Sequence, residues 1–125
     1  MLTKRILLVE DDPFLVDVYT KKLQQAGFDI INVNNGELAL KAIEGTHFDL
    51  VLLDIVVPDI DGWEILKQIK SPETQNQPKV IVFSNLGQKS EVEKGLKLGA
   101  DKYLIKANYT PSEVVEEVRK LITNN

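Results

Sequence analysis

Five short apolar runs recur along the chain, near residues 5–10, 28–33, 49–54, 79–84 and 101–106, and the stretches between them are patterned differently. Runs of this length bounded by turn residues read as strands, and those that are apolar throughout read as strands covered on both faces. Leu50-Val51-Leu52-Leu53 is the clearest case. Between the runs the apolar residues return with helical spacing. After Asp12-Pro13 come Leu15, Tyr19 and Leu23, four apart, with Val18 beside them, and Gly27 then ends the pattern. Asn34-Asn35-Gly36 opens a second helix with Ala39, Ala42 and Ile43 inward, and Trp63, Ile65, Leu66 and Ile69 mark a third. A fourth, near 88–98, is mostly polar apart from Val92, Leu96 and Leu98, and it contains Gly95. The fifth begins at Thr110-Pro111-Ser112-Glu113, a capping box with proline at the first helical position. Its apolar face is Val114, Val115, Val118, Leu121 and Ile122.

Strands alternating with helices in this way predict an α/β domain whose parallel sheet has helices on both sides. No repeat, low-complexity segment or linker interrupts the alternation, so residues 1–125 are expected to form one domain. The polar stretch from Ser71 to Pro78 is expected to be a loop within it.

The chemistry gathers where the runs end. Asp54 closes the central run and is followed by the turn-rich Val57-Pro58-Asp59-Ile60-Asp61-Gly62. A carboxylate at the C-terminal end of such a strand points into the crevice where open α/β sheets bind ligands. The first run feeds Glu10, Asp11 and Asp12. Asp12 precedes Pro13 and reads as a helix N-cap. Glu10 and Asp11 are left as a pair suited to a hard cation beside Asp54. The fourth run ends in Ser84 and the fifth in Lys106. An acid pair for a metal, a carboxylate nucleophile, a hydroxyl and an amine are the groups that phosphoryl transfer onto Asp requires.

With these residues in order, the chain resembles the receiver domain of two-component response regulators from Lys4 to about Ile122. The motifs that carry the resemblance are Val9-Glu10-Asp11-Asp12, Leu53-Asp54 through Asp61-Gly62, Phe83-Ser84-Asn85, Leu98-Gly99-Ala100-Asp101 and Tyr103-Leu104-Ile105-Lys106. The resemblance implies a flavodoxin-like, doubly wound, five-stranded parallel sheet of order 2-1-3-4-5 with five helices. That order places strands 1 and 3 side by side, so that Glu10, Asp11 and Asp54 meet. It implies that Asp54 accepts a phosphoryl group from a kinase phosphohistidine. Mg²⁺ would be held by Asp11 directly, by Glu10 through a water, by Asp54 and by the backbone carbonyl of Val56. Ser84 would hydrogen-bond the phosphoryl group and Lys106 would ion-pair with it. Ser84 and Tyr103 would be the switch residues, Tyr103 swinging inward as Ser84 moves, and the fourth helix, fifth strand and fifth helix would be the surface read by partners. The implied partners are a sensor histidine kinase or phosphotransfer protein and a downstream protein target. The domain would be a monomer or a phosphorylation-dependent dimer, and a phosphoacceptor rather than an enzyme acting on other molecules. With only Thr123-Asn124-Asn125 after the last helix, a chemotaxis-regulator-like, stand-alone receiver is expected, or an excised one.

Composition narrows the picture further. The chain is 43% hydrophobic and 27% charged, ordinary values for a globular protein, and its formal net charge of −4 argues against direct binding to nucleic acid or an anionic membrane. There is no cysteine, which excludes disulfides and thiolate metal sites. The apolar runs are too short to span a bilayer and the N-terminus lacks a signal-peptide pattern, so a cytoplasmic location is the default. His47, the one histidine, sits in a loop and reads as incidental.

Two positions depart from the family. Ala107 stands where a proline in a cis peptide usually follows the lysine, and a trans bond is expected because cis costs about 2.5–4 kcal/mol without proline. Asn85 stands where a small residue usually follows the hydroxyl, which bears on phosphate lifetime. Rival readings fare less well. A receiver that only binds partners would not need all of Glu10, Asp11, Asp54, Ser84 and Lys106. A haloacid-dehalogenase-type phosphatase needs a second Asp two residues after the first, where this chain has Val56. A flavodoxin-like electron carrier needs a hydroxyl-rich phosphate loop after the first strand, where this chain has acids. A nucleotide-binding P-loop is absent.

Overall fold

The structure, a computed structural model, describes residues 3–123. Five strands, β1 (Arg5–Val9), β2 (Asp29–Val33), β3 (Leu50–Leu53), β4 (Lys79–Ser84) and β5 (Lys102–Ile105), form one parallel sheet of order β2-β1-β3-β4-β5. Five helices connect and cover them: α1 (Pro13–Gln25), α2 (Gly36–Gly45), α3 (Gly62–Ile69), α4 (Lys89–Lys97) and α5 (Pro111–Ile122). A single 3₁₀ turn over Lys106–Asn108 follows β5, so Lys106 lies just past the strand it was expected to end.

Strand side chains alternate between faces, and the core accordingly divides in two. On one face Ile6, Leu8, Leu50, Leu52, Ile81, Phe83 and Leu104 pack beneath α1 and α5, against Tyr19, Leu23, Val114 and Val118. On the other Leu7, Val9, Val51, Leu53, Val80 and Val82 pack with Ala39, Ile65, Leu66 and Ile69 of α2 and α3. β3 is buried along its whole length, as its unbroken apolar sequence requires.

The helix ends follow local chemistry. Asp12 caps α1, its carboxylate accepting from Phe14 N at 2.9 Å and Leu15 N at 3.4 Å. Gly27 takes φ +98° to terminate the same helix. The Thr110 capping box forms with Glu113 as expected. α4 differs from the others: Gly95 is its only fully buried residue, and Leu96 is 48% exposed. A Cβ at Gly95 would come within 2.7 Å of the Tyr103 ring, so the missing side chain is what lets α4 lie on β5. Among the described residues every peptide bond is trans, that between Lys106 and Ala107 included. Among the same residues no helix is long and apolar enough to cross a membrane.

Candidate functional site

The C-terminal ends of β1, β3 and β5 bring three charged side chains into one buried cluster. Backbone pairing sets their heights: Glu10 N donates to Val33 O at 3.1 Å and Asp54 N to Val9 O at 3.0 Å. Glu10 is 2% exposed and Asp54 6%. Lys106 reaches both, with Nζ 2.6 Å from Asp54 Oδ2 and 2.7 Å from Glu10 Oε1. The remaining carboxylate oxygens are held by main chain. Val56 N donates to Asp54 Oδ1 at 3.0 Å, and Asp12 N donates to Glu10 Oε2 at 3.1 Å.

Two buried carboxylates sharing one ammonium are under-compensated on the acidic side. Burial pushes the Glu10 carboxyl above its ordinary range, outweighing the Lys106 and Asp12 hydrogen bonds that lower it. For Lys106 burial acts downward, but the hydrogen bonds to Asp54 and Glu10 outweigh it and hold the ammonium above the usual lysine value.

Asp11 supplies the opening toward solvent. It is exposed, and one carboxylate oxygen from each of Glu10, Asp11 and Asp54 lies within 4.8 Å of the others. The donor set is all oxygen, which fits a hard divalent cation such as Mg²⁺ and not a thiophilic metal. Val56, two residues beyond Asp54, has an exposed side chain and lies in the loop that carries the proposed backbone ligand.

Ser84 and Tyr103 are brought together through Leu86, and neither side chain is hydrogen-bonded to Asp54. Ser84 continues the β4 alternation of Val80 and Val82, toward the face opposite Phe83. It is 0% exposed, and its Oγ accepts from Leu86 N at 3.3 Å. The Tyr103 hydroxyl donates to Leu86 O at 2.5 Å. The Tyr103 ring is half-buried and packs against the core cluster of that face. His47 lies at the other end of the sheet, exposed and 3.5 Å from Asp49.

Sequence reasoning passed over Leu86, Asp59 and the close approach of Gly95 to Tyr103. Leu86 acts only through its backbone, which no residue type signals. A glycine inside a helical pattern does signal a close approach. Asp59, after Pro58, carries the weaker signal of an Asp in a turn, where it tolerates a left-handed backbone.

The family model described as the response regulator receiver domain matches residues 6–119. Among curated proteins, the probable transcriptional regulatory protein SilR of Salmonella typhimurium is 36% identical over 118 residues, covering 94% of this chain and 50% of that protein. The alkaline phosphatase synthesis transcriptional regulatory protein PhoP of Bacillus subtilis is 31% identical over 121 residues, covering 97% of this chain and 49% of that protein. The chain thus spans about half the length of the curated relatives it matches. Among solved structures, the BeF3-activated DrrB receiver domain superposes with a TM-score of 0.86 at 31% identity, over 98% of this chain and 100% of that one.

Proposed function

This chain belongs to the response regulator receiver domain family, and from that premise we propose that Asp54 is its phosphoryl acceptor. The observation that carries the reading is the position of the Asp54 carboxylate, 2.6 Å from Lys106 and grouped with Glu10 and Asp11. An Asp54 oxygen attacks the phosphorus of a phosphohistidine on a sensor kinase or phosphotransfer protein. A P–O bond forms, the P–N bond breaks, and the imidazole leaves with the electron pair. Lys106, charged across the physiological range, offsets the negative charge that gathers on the phosphoryl oxygens. Glu10, Asp11, Asp54 and the Val56 carbonyl are the residues that would hold Mg²⁺, which when bound neutralises phosphoryl charge. Ser84 supplies a hydroxyl within reach of the product once it leaves Leu86 N. Water later hydrolyses the acyl phosphate, so the domain catalyses only its own phosphorylation and dephosphorylation.

The phosphoryl group adds about −1.5 to −2 charges. It draws Ser84 toward Asp54, and the loop at Leu86 transmits that movement to α4, β5 and α5, the surface offered to a downstream protein target. A cytoplasmic location accords with a kinase donor, and the single domain acts as a monomer or as a dimer formed on phosphorylation. Intact-mass analysis with acetyl phosphate and Mg²⁺ tests the reading. One added phosphoryl is expected, absent in Asp54→Ala, and an equal adduct on that variant would remove Asp54 from the role.

A further inference from the structure

We infer that Asp59 is a positioning residue for the cation site, gripping the loop that follows Asp54 by capping a helix to which it does not belong. The inference rests on the reading of Glu10, Asp11, Asp54 and Val56 as that site.

α2 begins at Gly36, and its first N–H groups have no partner within the helix. Its own N-cap, Asn35, satisfies only Leu38 N, at 2.9 Å. Gly36 N and Glu37 N are bound instead by the loop that follows Asp54, where Gly36 N donates to Pro58 O at 3.3 Å. Asp59 Oδ1 accepts from Gly36 N at 2.8 Å and Glu37 N at 3.3 Å, and also from Ile60 N. The cap of one helix is therefore divided between two segments 23 residues apart in sequence. A carboxylate at a helix N-terminus also gains from the helix dipole.

Asp59 makes this contact with φ +69°, a left-handed conformation that Asp tolerates better than most residues and glycine adopts freely. The two segments are pressed together: a Cβ on Gly36 would fall 2.6 Å from Ile60 Cβ. The loop is held at two further points. Val56 N is bonded to Asp54 Oδ1 at 3.0 Å, and a Cβ on Gly62 would fall 2.3 Å from Ile55 O. Val56 lies between the Asp54 anchor and the Asp59 anchor. With both made, the Val56 backbone is ordered before a cation arrives, and binding is spared that ordering cost. α2 itself supplies none of the proposed ligands, so a cap serving α2 alone would not alter cation affinity.

Wild type, Asp59→Gly, Asp59→Asn, Asn35→Ala and Asp11→Ala are compared by Mn²⁺ titration, reading free Mn²⁺ by electron paramagnetic resonance, with thermal melts in parallel. Glycine at 59 adopts the left-handed backbone freely and removes only the carboxylate grip. Its affinity is expected to fall about tenfold, as for other groups that orient metal ligands. Asparagine keeps an accepting Oδ1 and should restore most of the affinity. Asn35→Ala removes the other half of the same cap and should lower the melting temperature with affinity unchanged. Wild-type affinity in Asp59→Gly, or an equal loss in Asn35→Ala, would overturn the inference. Failure of wild type to bind Mn²⁺, or unchanged affinity in Asp11→Ala, would instead remove the cation site and the inference with it.

Discussion

Tyr103 and Leu86 are joined by a hydrogen bond from the phenol to the main-chain carbonyl, while the N–H of the same leucine is held by Ser84 Oγ. One loop residue thus links the two side chains that the resemblance names as the switch. Gly95 gives the Tyr103 ring its place. Ser84, Tyr103 and, through the Tyr103 ring, α4 are thus connected by a single residue's backbone groups.

Gly95→Ala is expected to destabilise the protein by about 1–3 kcal/mol, because its Cβ would overlap the Tyr103 ring. In a Tyr103→Ala background the same change should stabilise by roughly 0.5–1 kcal/mol, the ordinary helix preference for Ala over Gly. Urea denaturation of the four proteins measures both values. Equal effects in the two backgrounds would show that the ring is not the obstacle.

Lys106→Met leaves Glu10 and Asp54 facing each other without their cation. Breaking a buried pair from one side costs about 3–5 kcal/mol. The deficit should shrink as pH falls, because Glu10, already raised by burial and now without its lysine, takes up a proton more readily in the folded state. In wild type the Lys106 contribution is fully present below the unfolded lysine value and is lost only as pH rises through the higher folded one. Denaturation midpoints at pH 5 and pH 8 test the variant. A deficit that grows toward acid would contradict the cluster.

Asp11→Ala should weaken Mg²⁺ binding more than Asp12→Ala, although the two acids are adjacent. Asp12 is engaged as the cap of α1, and its loss should cost about 0.5–2 kcal/mol of stability. Calorimetric Mg²⁺ titrations and melts of both variants separate the roles. Matching losses of affinity would mean that the cap residue also faces the cation.

Glu117 pairs with Lys102 and, at 3.5 Å, with Lys120. The Lys102 hydrogen bond holds its carboxyl below the ordinary range. Its stabilisation is therefore present above the unfolded carboxylate value and is lost as pH falls through the lower folded one. The pair is partly solvated, so Glu117→Gln should cost less than about 1 kcal/mol at pH 7. The difference from wild type should vanish toward pH 2. A constant difference across that range would assign the effect to packing.

The legible part of this protein is the part written in runs and ends. An apolar β3, helical spacing in α1 and α5, and polar residues at each strand terminus are local patterns, and the sheet they imply can gather strand-end groups on one edge. The acids that follow β1, Asp54 and Lys106 are legible in that way, and the resemblance carried by the motif order supplies the topology. The conformation of Ser84 was not legible, since strand alternation gives a side chain its face but not its hydrogen-bond partner.

The sequence by itself determined which groups this domain brings to its site, because residue type and strand period decide which side chains can stand at a strand end. Tertiary structure alone decided how they are held. The Leu86 peptide between Ser84 and Tyr103, and the Asp59 carboxylate on the first turn of α2, depend on segments distant in sequence lying against one another. Backbone N–H and C=O groups are the same at every residue, so their pairing leaves no mark in the sequence. It follows only from the geometry that packing the two faces of the sheet imposes.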